Sequence, residues 1–137
     1  MRYRYINHTA DIGFEIYGRD LKELFKNAAF ALFDNMTELR NVQRREKRRV
    51  ILSSDTLQEL FLDWLRELLF IFSTEFFIPK EIEMITLKQK RLEAELSGEV
   101  FDKKRHKIKI EIKNPTYHMF SFKKIPEGYT ARVIFDT

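Results

Sequence analysis

Leu57-Gln58-Glu59-Leu60-Phe61-Leu62-Asp63-Trp64-Leu65-Arg66-Glu67-Leu68-Leu69-Phe70-Ile71-Phe72 is the stretch whose reading decides the fold. Leu57, Leu60, Phe61, Trp64, Leu65, Leu68, Leu69 and Phe72 recur at helical spacing and form one wide apolar stripe. Glu59, Asp63, Arg66, Glu67 and Glu75 interrupt the run from Leu57 to Phe77, so it reads as an amphipathic core helix and not as a membrane span. Leu62, Phe70 and Ile71 fall off the stripe. A helix apolar around so much of its circumference is either central or covered by a partner; the central placement is the expectation. Ser54 and Asp55 offer side chains to cap its start.

Moving toward the N-terminus, Val50-Ile51-Leu52 reads as a short strand. Before it lies a basic run, Arg40 to Arg49, with six Lys or Arg opposed by Glu46 alone. A second helix begins at Asp20, where Glu23 stands at capping-box spacing, and Leu21, Leu24, Phe25, Ala28, Ala29, Leu32 and Phe33 form its buried stripe. Asn35 is a plausible end. Tyr3 to Ile6 and Phe14 to Tyr17 read as strands around the polar turn Asn7 to Asp11.

Toward the C-terminus the chain turns β-rich after Pro79. Ile82–Gln89, Leu92–Phe101, Lys107–Lys113, Met119–Phe122 and Tyr129–Phe135 are expected strands. Ile108, Ile110 and Ile112 alternate with charged residues, predicting one buried and one wet face. Asp102-Lys103-Lys104-Arg105 and Pro126-Glu127-Gly128 are expected to turn between antiparallel neighbours. The pattern predicts an α+β fold, two long helices packed on a mostly antiparallel multi-stranded sheet, in a single domain over residues 1–137.

Composition narrows the chemistry. The 137 residues include thirteen phenylalanines and no cysteine. A packed core follows, while disulfides, thiolate metal sites and cysteine nucleophiles are excluded. Met1 to Tyr5 shows no export signal, so the expected location is the cytoplasm. There is no glycine-rich phosphate loop and no G-x-S-x-G, and a catalytic reading has little support.

Three places carry polar groups at strand ends. Asp11 closes the first turn, where a carboxylate either caps the turn or faces a cation. Asp136 precedes Thr137, and oxygens side by side suit Ca2+ or Mg2+ better than zinc; a frayed tail is the ordinary alternative. His118, in Thr116-Tyr117-His118, could join His8 and Asp11 in a two-histidine, one-carboxylate site, though helical metal-motif spacing is absent. The basic run Arg40–Arg49 either grips phosphates or is a charge-protected loop and edge strand.

Asn7-His8-Thr9-Ala10-Asp11-Ile12-Gly13-Phe14, with Gly18, Leu21, Leu24-Phe25 and Ala28-Ala29, resembles the opening signature of the archease family. Asp63-Trp64-Leu65-Arg66-Glu67-Leu68-Leu69, Gly98-Glu99, Lys113, Thr116-Tyr117-His118 and Ala131 to Asp136 extend the resemblance across the chain. The resemblance implies a non-enzymatic protein that binds a divalent cation, Ca2+, and assists the RNA ligase of tRNA splicing. Family members promote guanylylation of that ligase and its repeated turnover. Carried onto this chain, the metal ligands are Asp11, Asp136 and Thr137, the last through main-chain or terminal oxygen; that role gives the chain a reason to stop at Thr137. Neither DNA nor a membrane is an expected partner, and RNA is met only indirectly. An RNA-binding adaptor using Arg40–Arg49 is the alternative. Asn114-Pro115, Tyr129, Thr137 and Arg66 depart from the usual family pattern.

Overall fold

A computed structural model describes residues 1–7 and 11–137. Its order is β1 (Tyr3–Asn7), β2 (Ile12–Gly18), α1 (Leu21–Met36), a 3-10 turn (Leu39–Asn41), β3 (Glu46–Ser53), α2 (Leu57–Glu75), β4 (Phe77–Leu87), β5 (Arg91–Val100), β6 (Asn114–Ile125) and β7 (Gly128–Asp136). The α+β class is as expected. The strands divide between two antiparallel sheets, β1-β2-β7-β6 and β3-β5-β4. Both helices touch both sheets, which is why each carries so wide an apolar face.

In α1, the Asp20 carboxylate accepts the Glu23 amide at 2.8 Å, as the spacing predicts. The reciprocal half of the box reaches one residue further back, where the Glu23 carboxylate accepts the Arg19 amide at 3.0 Å. The α2 cap differs from expectation. Thr56, not Ser54 or Asp55, accepts the Glu59 amide, and the Ser54 hydroxyl instead donates to Asp63 at 2.6 Å. Trp64 is fully buried, and its indole N–H donates to the Phe25 carbonyl at 2.9 Å, tying the helices together. Phe61 meets Phe25 and Phe122 edge-on, with ring centroids 5.1 and 5.4 Å apart. Leu62 and Ile71 are buried as a central helix requires, but Phe70 is 60% exposed.

The largest departure lies at Lys107–Lys113, which forms no strand. Its backbone bonds go elsewhere: Lys109 N–H donates to the Met36 carbonyl at the end of α1, the Thr37 hydroxyl donates to the Lys107 carbonyl, and Lys113 N–H donates to the Asp136 carbonyl. Only Ile112 of the three isoleucines is buried. The turn after Asp102 therefore leads into a crossing segment and not into a hairpin partner. β4 begins at Phe77 and runs through Pro79, with a register shift between Pro79 and Glu81. Gly98 of β5 lies beneath that irregularity, where a Cβ would sit 1.9 Å from the Ile78 carbonyl oxygen. Only glycine permits so close an approach.

Candidate functional site

The β2–β7 pairing sets the geometry of the predicted oxygen site. Ile12 lies opposite Phe135 and Gly18 opposite Tyr129. Continuing the antiparallel register one position past Ile12 brings the chain at Asp11 to Asp136. Asp11 is half-buried at the bend before β2, while Asp136 and Thr137 are exposed at the end of β7. One Asp136 oxygen, Oδ1, accepts the Asn114 amide at 2.7 Å, which anchors the carboxylate without enclosing it. The donors are hard oxygens, the type Ca2+ and Mg2+ select. Among the described residues no group of three His, Cys, Asp or Glu is placed to hold a metal, so an ion at this corner would need main-chain oxygen besides the two carboxylates. His8 lies outside the described residues. His118 is exposed in β6.

Beside this corner β6 departs from regular pairing. Thr116 faces Ile134 and Ser121 faces Arg132, leaving Tyr117 to Phe120 as an outward bulge with Met119 at a left-handed φ of 54°. The Tyr117 hydroxyl donates to Glu59 at 2.8 Å and accepts from Arg66 at 3.2 Å. Arg66 also donates to Asp63 at 2.8 Å, so the bulge is fastened to the exposed edge of α2. A cleft of about 400 Å3 adjoins it, lined by residues including Arg66, Phe70, Phe76, Lys113 and Asn114. Phe76 ends α2 in a left-handed conformation, φ 57°, and is 57% exposed. Neither non-glycine left-handed position had a sequence signal, because glycine or asparagine is the usual cue.

The basic run behaves differently from the phosphate-gripping alternative. Glu46 to Ser53 is a strand on the sheet edge, and the acids of its neighbours meet its cations. Arg44 pairs with Glu81, Arg49 with Glu93, Lys47 with Glu95 at 3.3 Å, and Arg48 with Glu75 at 2.6 Å. Arg45 lies 3.8 Å from Glu99 and Arg40 3.7 Å from Glu38. All six cations of the run thus face carboxylates, which cancels most of their field.

Glu99 anchors a second polar cluster and is 3% exposed. Its oxygens accept from both Arg105 terminal nitrogens, from the Gln43 amide at 2.6 Å and from His106 Nε2 at 3.1 Å. His106 Nδ1 accepts the Asp102 amide at 2.9 Å, which fixes the proton on Nε2. The Arg105 hydrogen bonds outweigh burial and hold the Glu99 carboxyl down at about 2. Each strong acceptor site is taken, and the cluster reads as a structural clasp.

The archease protein family model matches residues 3–137. The chain is 37% identical to a protein archease of Archaeoglobus fulgidus, covering 99% of each. It is 33% identical to that of Methanosarcina barkeri, covering 98% of this chain and 95% of the relative. The chain belongs to the archease family. The solution structure of protein 1598 from Methanobacterium thermoautotrophicum superposes with a TM-score of 0.82 at 36% identity, covering 99% of both chains. A Thermotoga maritima archease, described as a possible chaperone, shares the fold with a TM-score of 0.68 at 23% identity, covering 96% of this chain and 94% of its own. The archease match spans Asp11, Asp136 and Thr137 together with the Tyr117 bulge. No helix among the described residues is long and apolar enough to cross a membrane.

Proposed function

We propose that this archease-family protein is a non-catalytic cytoplasmic activator of a tRNA-splicing RNA ligase, promoting its guanylylation and multiple turnover. A divalent cation, Ca2+, is held by Asp11, Asp136 and a Thr137 oxygen. The observation that carries this reading is the β2–β7 register, which joins the two acidic strand ends at one corner. When bound, the cation supplies a positive centre through which protein carboxylates approach an anionic, nucleotide-bearing active site. This chain's own part is to position the oxygens: the Asn114 amide orients Asp136, and the buried Ile12 and Phe135 hold both strand ends. The neighbouring cleft, with exposed Phe70 and Phe76, suits a protein partner.

The test is multiple-turnover RNA ligation by the partner ligase, with and without this protein, repeated with Asp11→Ala and Asp136→Ala. Activation by the native chain and its loss in both folded variants are expected. Full activation by both variants would overturn the mechanism.

A further inference from the structure

At the far end of the β2–β7 pair, where Gly18 faces Tyr129, the surface has a different character. The paired strands span roughly 20 Å at about 3.3 Å per residue, so this end stands well away from Asp11 and Asp136. A cleft of about 840 Å3 opens there, lined by residues including Arg2, Tyr17, Lys22, Lys26, Glu127 and Tyr129. A second cavity of about 230 Å3 shares Arg2, Lys26 and Asn27 with it and continues past Phe30 to Lys80. Together they form one trough along α1.

Its charges are arranged unlike those of β3. Arg2, Lys22, Lys26 and Lys80 are exposed and form no ion pair among the described residues, and the Lys80 ammonium donates one bond, to the Leu39 carbonyl at 2.6 Å. Lys124, also exposed, lies opposite Tyr129 on β6. Two acids of the trough are paired with cations, Glu23 with Arg19 and Glu81 with Arg44, while Asp20 caps α1 and keeps its charge. Glu127 remains. Aromatic rings accompany the cations, since Tyr17, Phe30 and Tyr129 are half-buried and the Arg2 guanidinium lies 4.2 Å over the Phe30 ring.

We infer that this trough binds single-stranded RNA, taking the sugar–phosphate backbone along Lys22, Lys26, Arg2 and Lys80, with bases against the aromatic rings. Cations in a groove with half-exposed rings match that ligand, because phosphates neutralise the lysines while bases stack. An acidic peptide leaves the rings unused, and a bilayer surface does not enter a concave trough. The sequence conceals this site, since its cations are scattered from residue 2 to residue 124 and no local window looks basic.

The experiment measures fluorescence anisotropy of a labelled single-stranded RNA of about 12 nucleotides, a length within the range bound by comparable grooves. Binding at low salt should weaken as salt rises, with log K falling by about 0.7 per contacted phosphate for each unit of log salt. Lys22→Glu with Lys26→Glu, both on the exposed face of α1, should weaken it at least tenfold with an unchanged melting temperature. Arg44→Gln with Arg49→Gln, and separately Asp136→Ala, should leave it intact, keeping this site distinct from the basic strand and from the oxygen corner. Absence of RNA binding at low salt would overturn the inference. So would indifference to the Lys22/Lys26 change, or equal binding to polyglutamate or to phosphatidylglycerol vesicles.

Discussion

Glu99 near the end of β5 and Asp136 at the end of β7 carry the same functional group into opposite surroundings. Glu99 is buried, and Arg105, His106 and the Gln43 amide occupy its oxygens. Asp136 is exposed and has one anchoring bond, from Asn114. A carboxylate whose lone pairs are all satisfied by the protein contributes stability and has nothing left for a ligand. One that is fixed but still open can accept an ion at little cost to the fold. The contrast separates two acids that look alike in sequence.

Replacing Glu99 gives the largest expected effect on stability. Glu99→Ala strips the Arg105 guanidinium and the Gln43 amide of their acceptor and leaves the His106 N–H with the Asn41 carbonyl alone, and should cost about 3 kcal/mol. By thermal melting that is a fall of roughly 10 °C for a domain of this size. A melt unchanged by Glu99→Ala would erase the distinction, because the clasp would then hold nothing.

Acid titration probes the same residue with a smaller and graded effect. Its carboxyl sits at about 2 in the folded protein, below the ordinary 4.5. The folded state therefore favours the ionised form, and the associated stability is fully present above about pH 4.5. It should be lost progressively as pH falls toward 2. Denaturant melts across that window should show a steeper loss in the native chain than in Glu99→Gln.

Asp136→Asn should have the smallest effect on folding, under about 0.5 kcal/mol, because the amide oxygen still accepts from Asn114 and the position is exposed. Calorimetric titration with Ca2+ should nevertheless show affinity reduced by about a hundredfold, beyond the effect of losing an outer hydrogen-bond partner. A variant that binds Ca2+ normally would remove Asp136 from the ligand set and leave the comparison without its second half.

The helices were legible because their stripes are long and regular. Leu57 to Phe72 announces its buried face, and Asp20 announces the start of α1 through a bond that the structure contains. The turn acid and the final strand were legible as elements, and antiparallel pairing then joined them. Lys107–Lys113 departs from its alternation because no neighbouring strand pairs with it, so its backbone bonds go elsewhere and only Ile112 of the three isoleucines reaches the core. Here the partners are the end of α1 and the β7 terminus. The Glu99 clasp was invisible for a related reason. It joins Gln43 to residues 99–106, and no local pattern encodes a contact that tertiary packing creates. The charge-protected reading of the basic run holds, with β3 on a sheet edge, but the partners of its cations were not legible because those acids lie on β4, β5 and α2.

The adjacency of β2 and β7 also bears on how the molecule is made. Gly18 and Gly128 bound strands that lie side by side in one sheet, yet nearly the whole chain is synthesised between them. At roughly ten residues per second, β2 spends on the order of ten seconds on the ribosome before its neighbour emerges. Throughout that interval its inner edge offers unsatisfied amides and carbonyls to any passing strand. Nascent chains of this topology are thus open to mispairing late in translation, and slowing the ribosome after α2 should lengthen that vulnerable period.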